Sequence, residues 1–166
     1  MRNFAIAIIL VAAYTAGAHA QAPRTATDSL AAMTVMYTKA VDNGMRTAHA
    51  AEKPTLICVG GFRNGPPPGL LAALSNSGGL LIRAASACRI EPLRSPSTGQ
   101  SLVVDTLSGR RGIEIRVSHV AFGESGALFF RTHYYENGRS GADWDCTGAR
   151  RGETWEIVSC LMTRTS

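Results

Sequence analysis

At 166 residues and 45% hydrophobic content, the chain is sized for one domain with a real core. Its 17 basic residues outnumber 12 acidic ones, but they are scattered and nearly all arginine, with lysine only at Lys39 and Lys53. A nucleic-acid surface needs clustered charge, so no nucleic-acid partner is predicted and the excess reads as a solvated basic surface.

Residues 1–20 read as a secretory signal peptide. Arg2 gives the positive start, residues 6–13 the apolar region, and Ala18-His19-Ala20 the small-x-small cleavage site. The apolar run is too short to span a membrane, and no later segment is a candidate. No cysteine follows the cleavage site, which disfavours a lipoprotein. Export to the periplasm or beyond leaves residues 21–166 as a single α+β domain carrying 16 basic and 12 acidic residues, a net +4.

Residues 27–41 place Leu30, Met33, Tyr37, Ala40 and Val41 on one stripe, the pattern of an amphipathic helix lying on a sheet. Thr25 with Asp28 resembles a capping arrangement, and Asn43-Gly44 reads as the stop. Residues 48–53 are ambiguous, and 55–59 form a short apolar strand. The following Gly60-Gly61-Phe62-Arg63-Asn64-Gly65-Pro66-Pro67-Pro68-Gly69 invites comparison with a phosphate loop. Three consecutive prolines lack the N–H groups such a loop needs, and its Lys-Ser/Thr pair is missing. A stiff turn into a second short helix over 68–76, closed by Gly78, is the better reading. Residues 80–90 begin as a strand, 92–101 form a loop, and 102–106 pair before a turn at 109–112.

Four strands then follow. Residues 113–119 alternate strictly, and 128–135 are rich in aromatic residues. A turn centred on Glu124-Ser125 sets Val117 opposite Thr132, Ile115 opposite Tyr134 and His119 opposite Phe130. One face then carries Ile113, Ile115, Val117, Phe130 and Tyr134; the other carries Glu114, Arg116, Ser118, Arg131, His133 and Tyr135. After turn residues 136–141 comes a strand at 142–149, a turn at 150–153, and a last strand at 154–162 with Trp155, Ile157 and Leu161 on one face. Short connections favour a four-strand antiparallel meander. The predicted fold is therefore two helices packed on a mostly antiparallel, curved sheet that ends in this meander.

The segments Pro67-Pro68-Gly69-Leu70-Leu71-Ala72-Ala73-Leu74, Arg83-Ala84-Ala85-Ser86-Ala87-Cys88-Arg89 and Trp155-Glu156-Ile157-Val158-Ser159 carry a resemblance. Over most of its mature length the chain resembles a group of small, uncharacterised exported bacterial proteins. That likeness implies export and brings no activity with it. The order of helix and curved sheet is also similar to cystatin-like and NTF2-like rolls, a likeness of fold alone.

Four cysteines in an exported chain imply two disulfides, with three possible connectivities. Cys58 and Cys88 flank the proline-led helix and are expected to close it onto the sheet. By elimination Cys146 joins Cys160. With Arg151-Gly152 central in the turn, however, Cys146 faces Ile157, so this bond needs a bulge or a different turn.

His49, Asp105 and Ser125 fall in the chain order of a chymotrypsin-like triad, but Ser125 sits at a hairpin tip without room for the second barrel. His119 and His133 fall on opposite faces and cannot share a metal. No zinc spacing and no paired carboxylates occur, so no metal, cofactor or catalytic group is predicted. The remaining candidate is Arg116, Arg131, His133 and Tyr135 on the polar face, an anion-binding cluster or simply a solvated surface. The expected function is non-catalytic binding of an envelope protein or an anionic envelope surface through that face. The alternative is a ligand-binding or enzymatic pocket inside an NTF2-like roll, lined by His119, Tyr134 or Trp144.

Overall fold

A computed structural model describes residues 26–48, 54–75, 79–92, 101–123, 126–138 and 140–165. The expected signal peptide, Thr25, His49, Gly78 and the Glu124-Ser125 turn centre lie outside these residues. The elements are α1 (Ala26–Thr47), β1 (Leu56–Gly60), α2 (Leu70–Ser75), β2 (Leu81–Ala84), a single 3-10 turn (Ala85–Ala87), β3 (Cys88–Pro92), β4 (Ser101–Asp105), β5 (Arg111–Phe122), β6 (Leu128–Asn137), β7 (Ser140–Arg151) and β8 (Thr154–Thr165). No helix among the described residues is long and apolar enough to cross a membrane.

The first helix exceeds its predicted span, running through Asn43-Gly44 to Thr47. Gly44 is not a stop. It is buried mid-helix, where a Cβ would lie 2.6 Å from Ile115 Cδ1 and 3.0 Å from Ile113 Cδ1. The glycine lets α1 approach the sheet closely, which outweighs its poor helix propensity. The buried stripe is Ala32, Met36, Tyr37, Ala40 and Val41, while Leu30 and Met33 are only partly covered. Near its start, Asp28 accepts hydrogen bonds from Trp155 Nε1 and Arg150 Nη1, each at 2.9 Å, tying α1 to β7 and β8.

The sheet is mixed and runs β2-β1-β5-β4-β6-β7-β8, with β3 paired to β4. Strand β4 is wedged in at one end only; beyond it β5 and β6 pair directly. From β5 to β8 each strand is antiparallel to the next, as the meander predicted. The other half departs from that pattern, because β1 is parallel to both β2 and β5. Parallel neighbours require a crossover, and α2 supplies the one from β1 to β2. Both helices cover one face, packing on Ile57, Val59, Ile113, Ile115, Val117, Phe130, Tyr134 and Trp144. Behind β1 the chain from β2 through β4 covers the opposite face, where Leu56, Cys58 and Val103 form a second small core. Strand β1 is thus buried along its whole length, which explains its unbroken apolar sequence.

The β5–β6 register is the predicted one from Glu114↔Tyr135 to Ser118↔Arg131, including Ile115↔Tyr134 and Val117↔Thr132. The His119–Phe130 pairing does not form. The strands meet at Phe122↔Leu128, one residue out of step with a Glu124-Ser125 centre, and a bulge at His119 and Val120 restores the register. His119 adopts φ 52° there.

The β7–β8 hairpin reaches the second disulfide by combining the two expected alternatives, a different turn and a bulge. Its turn centres on Gly152-Glu153, with Arg151↔Thr154, and a bulge follows at Val158. Cys146 and Cys160 then stand directly opposite, 4.1 Å apart at Cα, and are bonded. The same bulge turns Leu161 away from the face shared by Trp155 and Ile157, so it lies across from Asp145 and is 71% exposed. The Cys58–Cys88 bond is also present and ties β1 to β3.

Candidate functional site

The outer face of β5 to β8 is the side that the helices leave open. Period-two alternation puts Arg116, Arg131, His133 and Tyr135 there together, and strand pairing sets Asp143 and Asp145 of β7 beside them. Arg131 donates to Asp145 through Nε at 2.7 Å and Nη2 at 3.1 Å. His133 Nδ1 is bonded to Asp143. Arg116 Nε donates to Glu114 Oε1 at 2.6 Å. The Tyr135 hydroxyl meets Ser101 Oγ at 2.5 Å. Each of the four residues named from the sequence therefore has a partner, and the basic cluster is interleaved with carboxylates.

The acidic half of this lattice escaped the sequence reading, although its signal was present. Asp143 and Asp145 alternate along β7, and any register facing Phe130 with Cys146 brings them opposite His133 and Arg131. The Arg131 guanidinium, through its hydrogen bond and its charge, holds the Asp145 carboxyl below the ordinary range. The carboxylate in turn raises the arginine further. The bulge also brings His119 to this region: it is exposed and meets Ser118 Oγ at 3.1 Å through Nδ1. Around the lattice, Phe129 is 46% exposed and Leu161 more so.

Among the described residues the opposite face offers no comparable surface. Tyr134 and Trp144, the expected lining of a chamber, are buried. The Tyr134 hydroxyl meets Ser140 Oγ at 2.7 Å and donates to Glu136 Oε2 at 3.3 Å; burial raises its pKa. Asp105, the described member of the triad-like set, is engaged by Ser108, whose backbone N–H and hydroxyl donate to Oδ2 at 2.9 and 2.5 Å.

A second feature lies where the cover over the outer face ends. A half-open cleft of about 400 Å³ is bounded by Val59 to Arg63, Gly65 and Pro66 on one side, by Ala85 and Ser86 on another, with Glu114 and Arg116 between them. Glu114 was placed by alternation on a wet face, yet it is buried, because β2 to β4 cover this end of β5.

Compared with protein-family models, with curated proteins and with solved structures, the chain matches none.

Proposed function

We propose that this chain is an exported, non-catalytic binding domain that holds a protein or other envelope component on the outer face of β5 to β8. The observation that carries the reading is the occupied inner face. Helix α1 fills the concavity where a roll would keep its ligand chamber, with Met36, Tyr37 and Ala40 packed into the cluster that contains Tyr134 and Trp144. Recognition is left to the other side. There Arg131–Asp145 and His133–Asp143 present ordered charge of both signs, and Phe129 and Leu161 offer apolar contact. The two disulfides suit an oxidising compartment, in keeping with the export signal read at residues 1–20. A photo-crosslinking residue placed at Leu161 is expected to trap discrete adducts from envelope extract. The same residue at Leu107, 83% exposed in the turn after β4, is expected to trap none of them. Identical adduct patterns from the two positions, or none from either, would count against the proposal.

A further inference from the structure

We infer that the cleft at the carboxyl end of β1 is a receptor for a small polar molecule bearing a carboxylate or phosphate group, held by Arg116 and Arg63. Its construction begins with the ion pair between Arg116 and Glu114. The Glu114 carboxylate is buried and accepts from Arg116 Nε at 2.6 Å, which fixes the guanidinium plane. The two terminal nitrogens of Arg116 form no hydrogen bond with the described residues. An arginine anchored at one edge and open at the other offers paired N–H groups matched to two oxygens of an anion. Its ordering cost is met before the ligand arrives.

Glycine makes room for this arrangement. Gly60 pairs with Arg116 across the parallel strands, and a Cβ there would stand 2.8 Å from Glu114 Oε1 and 3.1 Å from Arg116 Cγ. Any larger residue would displace the anchored pair. The loop that follows is pinned by the Tyr37 hydroxyl, which donates to Gly60 O at 2.5 Å, and by Phe62, whose ring stacks on Tyr37 at 5.3 Å. Arg63 projects from this loop, exposed and without an ion-pair partner among the described residues. Two guanidinium groups against one carboxylate leave the lining net positive.

The position in the fold is consistent with binding. β1 and β2 are parallel, so the chain leaves their carboxyl ends on adjacent, diverging paths, through the 61–69 loop and the 3-10 turn. Such divergence opens crevices in which ligands settle. The volume of about 400 Å³ suits a small molecule. A backbone phosphate cradle remains excluded, since residues 66–68 are prolines, and the guanidinium groups take over that role.

The test is an amide-shift titration of the isotope-labelled chain with acetate and, separately, inorganic phosphate, at constant ionic strength and neutral pH. Saturable shifts are expected at Gly60, Gly61, Phe62 and Ser86 with at least one anion. Response to acetate alone assigns a carboxylate ligand, and response to phosphate alone a phosphate ligand. Arg116→Gln is expected to weaken binding about tenfold or more, and Arg63→Gln and Arg116→Lys about threefold. Arg131→Gln is expected to change it little, because that arginine lies on the same face but is already bidentate to Asp145. Melting temperatures verify folding, and Arg116→Lys carries the test if the glutamine variant does not fold. Shifts that fail to saturate with both anions would overturn the inference. So would a loss in Arg131→Gln as large as in Arg116→Gln, because bulk charge would then explain the effect. A failure of this cleft to bind leaves the outer-face crosslinking result untouched, and the reverse also holds.

Discussion

Single residues decide how closely the layers approach, and Gly112 is the sharpest case. It is the second residue of β5, beside β1, and a Cβ there would collide with the carbonyl oxygen and Cβ of Leu56. Backbone at the start of a parallel strand pair cannot step aside as a flexible side-chain tip can. Gly112→Ala is therefore expected to cost ~2–3 kcal/mol, read as a lower denaturant midpoint with an unchanged slope. The tight contacts at Gly44 are isoleucine tips, with Tyr134 Cβ farther off at 3.4 Å, so its replacement by alanine is expected to be milder. Neither requirement shows in the sequence, where Gly44 follows an asparagine and Gly112 follows two arginines, both ordinary turn compositions. In each case the neighbour that forbids a Cβ is distant along the chain.

At the scale of elements, the helix stripe was legible in period and only partly in phase. Tyr37, Ala40 and Val41 face the core as read, but the face extends to Ala32, Met36 and Gly44 more than to Met33. Met36→Asp is expected to bury an unpaired charge and to cost on the order of 4 kcal/mol. Met33→Asp, at the partly covered margin, is expected to cost about 1 kcal/mol. Thermal melts of the two variants check this order, and equal losses would mean the helix is rotated from its described position. Strand faces were more legible still, because a period of two leaves only two choices. That certainty ends at a bulge: before Val158 the faces are as predicted, and beyond it Leu161 and Cys160 exchange sides. The disulfide signalled this, since with the expected turn Cys146 and Cys160 cannot meet without an inserted residue.

The whole molecule is bracketed in pH by groups of opposite kind. Hydrogen bonds from Ser108 hold the Asp105 carboxyl below its ordinary range, and Arg131 does the same for Asp145. Both therefore contribute stability that is present above the unfolded carboxylate pKa of about 4 and lost as pH falls through the lower folded values. Tyr37 and Tyr134 are shifted upward by burial. Their contribution is complete below the unfolded value of about 10 and declines as pH rises above it, because the unfolded chain then releases protons that the folded chain retains. Unfolding free energy measured by denaturant from pH 2.5 to 11 is expected to form a plateau with a fall at each end. Tyr37→Phe is expected to flatten the alkaline fall, and an unaltered alkaline slope would contradict this assignment.

Periodicity, turn residues and the spacing of four cysteines determined by themselves that a helix covers a sheet, that four strands follow one another, and which side of β5 and β6 is apolar. These are local properties, set by side-chain direction along a regular backbone. Even the conflict between the expected β7–β8 turn and its disulfide was visible before any coordinates. Only the tertiary structure decided that β1 lies parallel between β2 and β5, that Glu114 is covered, and that the predicted basic cluster meets Asp143 and Asp145. It alone brought Arg63 and Arg116 to one cleft. Parallel pairing, burial of a second face and convergence of loops depend on contacts between residues far apart in the chain, and nothing periodic in one segment specifies the distant segment it will meet.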